Sequence, residues 1–256
     1  SELGLLIMDL KGRKALVTGG SGDIGASIVL ALAKRGADVI VHTYQNRKAA
    51  ERVVGGVKDL GQKAQILQAN LVQRDDVIRM SDEALAMGPV DILVNNAGTP
   101  IRRVHWQELD ENFLDLVFSL NYRAPLYLTQ KLAPGMIERK QGVIINILSG
   151  AAHNCGTETV FAYGSAKGAL MTLTRGLARS LAPKGVRVLS VSPGTVDTNI
   201  QRNLTSPELL DQLVKGIPIG RIGRPEEIGE IVGFMATDKA SFIVGETLEV
   251  NGGVYM

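Results

Sequence analysis

The chain has 256 residues, with 28 Lys plus Arg against 26 Asp plus Glu, a formal net charge of +2. That near-balance argues against nucleic acid or an anionic membrane as the main partner, because both call for a basic surplus gathered on one face. Apolar residues at 45% and charged residues at 21% exclude general disorder, and a lone cysteine, Cys155, excludes an intrachain disulfide and a cysteine-rich metal site.

Residues 1–9 (SELGLLIMD) hold a short apolar run flanked by acids, without the basic region or cleavage site of a signal peptide. No stretch reaches the roughly 18 apolar residues of a membrane span, so a soluble cytoplasmic protein is expected. Short β-branched runs then alternate with longer helical patterns. Residues 14–18 (KALVT) predict a strand, 24–35 a helix closed by Gly36, and 38–43 (DVIVHT) a second strand. A helix near 48–60, a strand at 63–69, a helix at 74–87 and a strand at 90–95 follow. A long helix is predicted over 107–132, then a strand at 142–148, another long helix over 159–181 and a strand at 186–191. Shorter helices near 207–214 and 225–237 lead to a last strand at 247–250. Strict alternation of this kind implies a parallel sheet with right-handed crossovers and helices on both faces. The nearly continuous apolar runs DVIVHT, VDILVN and GVIINIL suit strands buried on both sides. One doubly wound α/β domain over residues 1–256 is expected, with its ligand crevice beyond the carboxyl ends of the strands.

The first predicted strand runs into Thr18-Gly19-Gly20-Ser21-Gly22-Asp23-Ile24-Gly25. A glycine-rich turn between a first strand and a first helix lets backbone N–H groups face a pyrophosphate, an approach that a Cβ would block. Further blocks fall at strand ends or on the next helix: Asn95-Asn96-Ala97-Gly98, Asn121, Ser149, Tyr163-Gly164-Ser165-Ala166-Lys167, and Ser192-Pro193-Gly194-Thr195-Val196-Asp197-Thr198. Tyr163 and Lys167, four apart, share one helix face. A nearby ammonium lowers a phenol's pKa from about 10 toward the range useful for acid–base work. Pro125 has no N–H to give the Asn121 carbonyl four residues back, so it frees that carbonyl and kinks the helix.

Taken in order over nearly the whole chain, these motifs resemble the compact short-chain dehydrogenases/reductases. The resemblance implies a Rossmann-type fold and reversible hydride transfer between a nicotinamide and a carbonyl or secondary alcohol. It implies Asn121, Ser149, Tyr163 and Lys167 as the catalytic residues. Tyr163 then donates the proton during reduction, Lys167 lowers the tyrosine pKa and holds the nicotinamide ribose, and Ser149 orients the carbonyl oxygen. Asn121 positions a water that links Lys167 to solvent. The cofactor-binding residues so implied are Gly19, Ser21, Gly22, Asp23 and Ile24 at the pyrophosphate, with Asn70 and Leu71 at the adenine. Asn96, Ala97 and Gly98 wall the adenine ribose, and Pro193, Gly194, Val196 and Thr198 flank the nicotinamide.

Asp23 departs from the family pattern, which has glycine there, and is expected to cap the first helix. Thr43 stands where an acid would bind the ribose 2′-OH, while Arg47 and Lys48 are cations nearby and His42 and Thr43 can hydrogen-bond a 2′-phosphate. NADP(H) is therefore expected over NAD(H). Residues 153–158 and an amphipathic insert near 195–224 are expected to face the substrate, the insert as a lid. His153 and Cys155 read as incidental loop residues, His105 and Trp106 as packing residues, and no catalytic metal is expected. Residues 221–228 and 245–253 also look like this family, which implies a homotetramer. The leading expectation is a carbonyl reductase or alcohol dehydrogenase of small molecules. Its close rivals are a sugar or polyol dehydrogenase and a 3-oxoacyl-carrier-protein reductase, whose acidic carrier Arg102 and Arg103 could meet. A non-catalytic nucleotide sensor, from another class, sits poorly with the intact Asn121, Ser149, Tyr163 and Lys167 set.

Overall fold

The computed structural model of the chain describes residues 8–255. Seven strands form one all-parallel sheet: β1 (Lys14–Val17), β2 (Asp38–Thr43), β3 (Ala64–Gln68), β4 (Ile92–Asn95), β5 (Gly142–Ile147), β6 (Val186–Pro193) and β7 (Thr247–Val250). Their order is β3-β2-β1-β4-β5-β6-β7, so the chain reverses direction across the sheet between β1 and β4. That switch point places a crevice at the carboxyl ends of β1 and β4.

Residues adjacent in a strand point to opposite faces, and the core divides accordingly. Val17, Val41, Val94, Ile145 and Val191 pack against α1 (Asp23–Lys34) and α10 (Pro225–Met235) through Ile28, Leu32, Ile228 and Val232. Their strand neighbours Leu16, Ile40, Leu93, Ile144 and Val188 face the other way, onto α3 (Arg74–Ala86), α5 (Ala124–Glu138) and α7 (Phe161–Leu181). Helix α2 (Arg47–Asp59) covers the outer strands and is capped by Asn46 Oδ1, which accepts from Ala49 N at 3.1 Å.

The long helix predicted over 107–132 is broken into pieces. A single 3₁₀ turn at Trp106–Glu108 precedes α4 (Glu111–Phe118), a π-helical turn fills Ser119–Arg123, and α5 begins at Ala124. Asp110 caps α4 by accepting from Phe113 N at 2.8 Å, which a helix running through from 107 would not allow. Pro125 lies in the first turn of α5, so the i→i−4 ladder cannot pass through Asn121, and the chain widens into the π turn there. Two short helices lie where no separate helix was predicted: α6 (Ala151–Asn154), ended by Cys155 at φ 61°, and α8 (Asn199–Leu204), followed by α9 (Pro207–Lys215). No helix among the described residues is long and apolar enough to cross a membrane.

Candidate active site

The glycine loop lies between β1 and α1, and its shape is fixed by contacts that only glycine permits. A Cβ on Gly25 would run into the Gly19 carbonyl oxygen, and Gly19 itself adopts φ +62°. Gly22 is the N-cap of α1 and has no side chain to offer, so the first N–H groups of the helix face outward from an open cradle. The loop is tied down from the far side. Asn96 Nδ2 donates to the carbonyls of Thr18 and Gly19 at 2.9 and 3.2 Å, and Thr18 Oγ1 accepts from Asn96 N and Ala97 N, each at 3.0 Å. The Asn96 amide thus shapes the loop, while Ala97 and Gly98 present the surface beside it.

His42 has a different place from the one expected. Its Nδ1 accepts from Gly19 N at 2.9 Å and its Nε2 meets the Ala69 carbonyl at 3.1 Å, so it stitches the glycine loop to the ends of β2 and β3. Burial lowers its pKa to about 4, and the ring is neutral. Both nitrogens are engaged, so His42 is not a phosphate ligand. Thr43 is buried and its hydroxyl pairs with Ser21 Oγ at 2.8 Å, holding the loop against the end of β2. Arg47, the first residue of α2, is exposed and pairs with Glu51 at 3.1 Å. Asn70 is held in its turn by Asp76, whose Oδ2 accepts from Asn70 N at 2.9 Å, and Leu71 is packed into the core.

The four expected catalytic residues come from three parts of the chain and converge. Tyr163 and Lys167 lie on α7, Ser149 follows β5, and Asn121 lies in the π turn. Ser149 hydrogen-bonds the Tyr163 hydroxyl. Lys167 Nζ donates to the Ile147 carbonyl at 2.8 Å and lies 5.7 Å from the centre of the Tyr163 ring. Asn121 is fully buried: its Oδ1 accepts from Thr99 N at 3.1 Å, and its Nδ2 donates to Thr99 O and Val117 O at 3.0 and 2.9 Å. A Cβ on Gly98 would sit 2.7 Å from both Asn121 Oδ1 and Lys167 Nζ, so only glycine lets these groups approach.

The electrostatics differ from the sequence expectation. Burial raises the Tyr163 phenol to about 12, against a weaker downward pull from its Ser149 hydrogen bond. Burial lowers Lys167 to about 7. Desolvation dominates at both groups, which favours the neutral phenol, the form of a proton donor. An apolar wall of Ile101, Val104, Phe113 and Val117 packs beside Tyr163. Ile101 is held there at φ 68°, a strained conformation for a β-branched residue. Arg102 stacks on Phe113 at 4.8 Å, and Arg103 donates to Thr157 and Thr159 at 3.2 and 3.4 Å.

At the end of β6, Pro193 closes the strand, Val196 is buried and bridges to Gly223, and Gly194 packs so tightly on Asn251 that a Cβ would meet its Cα at 2.8 Å. Thr198 caps α8, its Oγ1 accepting from Gln201 N at 3.1 Å. Three expectations need correction here. Asp23 does not cap its own helix: it is the first residue of α1, and its carboxylate accepts from Asn199 N at 2.7 Å and Asn199 Nδ2 at 3.0 Å. His153 is not incidental, since it pairs with Glu249 at 2.7 Å and stacks on Tyr255 at 4.9 Å, which binds the loop after Ser149 to the C-terminal tail. Trp106 is 49% exposed and so is no packing residue, while His105 pairs with Glu158 at 3.0 Å.

An open glycine cradle at a helix N-terminus, with a Tyr–Lys–Ser–Asn group at the other end of the same sheet edge, fits a dinucleotide whose pyrophosphate and nicotinamide lie at those two places. Among the described residues no group of three or more His, Cys, Asp or Glu could hold a metal ion. Comparison with known proteins gives the same direction. The family described as enoyl-(acyl carrier protein) reductase matches residues 20–255. The chain is 38% identical over 251 residues to a 3-oxoacyl-(acyl-carrier-protein) reductase of Staphylococcus epidermidis, covering 95% of this chain and 99% of that one. It is similar in structure, at TM-score 0.91 and 32% identity over 97% of this chain and 98% of the other, to a Beutenbergia cavernae protein assigned as an NAD(P)-dependent gluconate 5-dehydrogenase, with NADP bound at low occupancy. At TM-score 0.91 and 31% identity, over 98% and 97% of the two chains, it is similar to a 7α-hydroxysteroid dehydrogenase complexed with NADH and a 7-oxo bile acid conjugate.

Proposed function

Given that the chain belongs to the short-chain dehydrogenase/reductase family and is a nicotinamide-dependent oxidoreductase of CH–OH groups, we propose that it is an NADP(H)-dependent carbonyl reductase or secondary-alcohol dehydrogenase. The observation that carries this is the Tyr163 phenol, hydrogen-bonded to Ser149 and next to Lys167 at the crevice. The bound nicotinamide supplies the hydride chemistry. Ser149 orients the carbonyl oxygen, Tyr163 gives its proton to the developing alkoxide, and Lys167 holds the nicotinamide ribose and restores the phenolic proton. The carbonyl of Asn121, left without an i→i−4 donor by Pro125, holds the water that links Lys167 to solvent.

Gly19, Ser21, Gly22, Asp23 and Ile24 line the pyrophosphate, Asn70 and Leu71 border the adenine through their backbone, and Ala97 and Gly98 wall its ribose. Pro193, Gly194, Val196 and Thr198 flank the nicotinamide. The preference for NADP(H) rests on Thr43 in place of an acid and on Arg47, whose exposed guanidinium must exchange Glu51 for the 2′-phosphate. Residues 195–224, with α8 and α9, serve as the lid. Assembly into a homotetramer is part of the same reading, supported by the exposed Phe242, Val244, Leu248 and Val254 around β7, as is a cytoplasmic location.

The test is oxidation of NADPH, then NADH, followed at 340 nm against ketones, 3-oxoacyl thioesters and ketoses. Turnover with NADPH on simple ketones supports the proposal, and a clear NADH preference defeats the cofactor assignment. Selective turnover of carrier-bound 3-oxoacyl groups would favour the acyl-carrier reading, for which the exposed Arg102 and Arg103 are the candidate contacts. Light scattering on the eluting protein measures the assembly.

A further inference from the structure

We propose that Asp23 is a latch on the cofactor cleft, tying the root of α8 to the glycine loop so that α8 must release before the dinucleotide enters or leaves. This rests on the nicotinamide reading above. Both carboxylate oxygens are used: Oδ2 accepts the backbone N–H of Asn199 at 2.7 Å, and Oδ1 accepts its side-chain amide at 3.0 Å. The partners are 176 residues apart in the chain. The contact is extended by a chain of bonds, because Arg202 donates through Nε to Asp197 at 2.9 Å and through Nη1 to Asn199 Oδ1 at 3.3 Å. The Arg202 guanidinium also feels the charge of Asp23.

Topology gives this contact its reach. The glycine loop follows β1, α8 follows β6, and β4 and β5 lie between those strands in the sheet. Three strand spacings amount to about 14 Å, so a direct hydrogen bond between the two loops carries the chain across the carboxyl ends of β4 and β5, over the crevice. Its anchor is the first residue of α1, beside the N–H groups that face the pyrophosphate. The other end lies one residue past Thr198, at the nicotinamide side. The latch therefore ties the segment that leaves the nicotinamide side to the loop that holds the pyrophosphate. Its bonds lie at the surface, so they are weak enough to open during exchange.

The experiment is stopped-flow fluorescence of NADPH with the full-length protein, reading association on mixing and dissociation on chase with excess NADP+, for wild type, Asp23→Ala and Asp23→Asn. A latch closed in both free and bound protein slows both directions. Asp23→Ala is thus expected to speed association and dissociation each about tenfold, the loss of a charge-assisted bond pair, so that Kd moves less than either rate. Asp23→Asn keeps one acceptor and falls between. Limited proteolysis within 199–215 is expected to quicken in Asp23→Ala at an unchanged Tm. Unchanged exchange rates in Asp23→Ala overturn the latch, as does tighter NADPH binding in both variants with dissociation slowed, which would mark Asp23 as a repulsive charge only. Wild type that binds neither NADPH nor NADH overturns the cofactor reading itself.

Discussion

Tyr163 and Lys167 show what burial does to a reactive pair. A phenol raised to about 12 is a poor base and a reliable acid, and a lysine lowered to about 7 carries its charge only part of the time near neutrality. Removing the phenolic oxygen leaves the cofactor cradle untouched. Tyr163→Phe should therefore lose at least about a thousandfold in kcat, within the scale of acid–base catalysis, while NADPH binding by fluorescence stays as in wild type. Retained turnover would sink the role. Lys167 makes a second prediction, about stability. Its folded pKa lies below the ordinary lysine value, so the unfolded chain takes up the proton first as pH falls through about 10.5. The penalty grows from there down to about pH 7 and is then complete, at about 5 kcal/mol. Methionine removes the charge but strands the Ile147 carbonyl, which returns about 1–3 kcal/mol of the gain. Lys167→Met is expected to unfold at higher urea at pH 7, by roughly 2 kcal/mol, and to be inactive. A less stable variant, or one equally stabilised at pH 7 and pH 10.5, contradicts the account. The motif residues were legible because the chemistry needs those types at those spacings. Their electrostatics were not, because burial is a property of the packed molecule.

Among the elements, the region around Asn121 carries the next prediction. Residues 107–132 have helical periodicity throughout, yet the chain forms a 3₁₀ turn, α4, a π turn and α5. Pro125 was legible as a source of disruption, since its missing N–H falls on Asn121. The form the disruption takes was not: the π turn turns the Asn121 side chain onto Thr99, which sets Gly98, in the loop after β4, against Asn121 and Lys167. Alanine at 125 restores the donor, so the ladder can close and the turn can straighten. Pro125→Ala is expected to melt at the same temperature or higher, with kcat lowered at least about tenfold and KM for the cofactor unchanged, as for a π turn kept for function rather than stability. Unchanged kcat would show that the turn serves packing alone. The short α6 and α8 escaped sequence reading for a plain reason. Four and six residues are too few to show a period.

At the scale of the whole molecule, alternation of apolar runs was enough to read a parallel doubly wound sheet and the side on which its crevice opens. Contacts between distant loops had no local signal: Asp23 with Asn199, His153 with Glu249, and Gly19 with His42. The last of these matters most to the assembly of the fold, because the His42 ring joins the glycine loop to the ends of two strands, from inside the protein. That role needs a neutral imidazole: Nδ1 accepts from Gly19 and Nε2 donates to Ala69, and a proton on Nδ1 would abolish the first bond. Its pKa is lowered from 6.5 to about 4, so the unfolded chain binds a proton that the folded chain refuses. Stability from this residue is whole above pH 6.5 and is lost as pH falls toward 4, by about 3 kcal/mol in total. Replacing His42 with Gln keeps an acceptor and a donor on a side chain that does not titrate. Urea midpoints at pH 7 and pH 4 should fall further for wild type than for His42→Gln, the difference being about 3 kcal/mol. Carboxylates titrate equally in both proteins and cancel in that difference. Equal losses in the two would mean that His42 protonates without breaking the stitch. A loss in wild type accompanied by weakened NADPH binding as pH falls from 5 to 4 would place the break at Gly19, where the loop is held from behind.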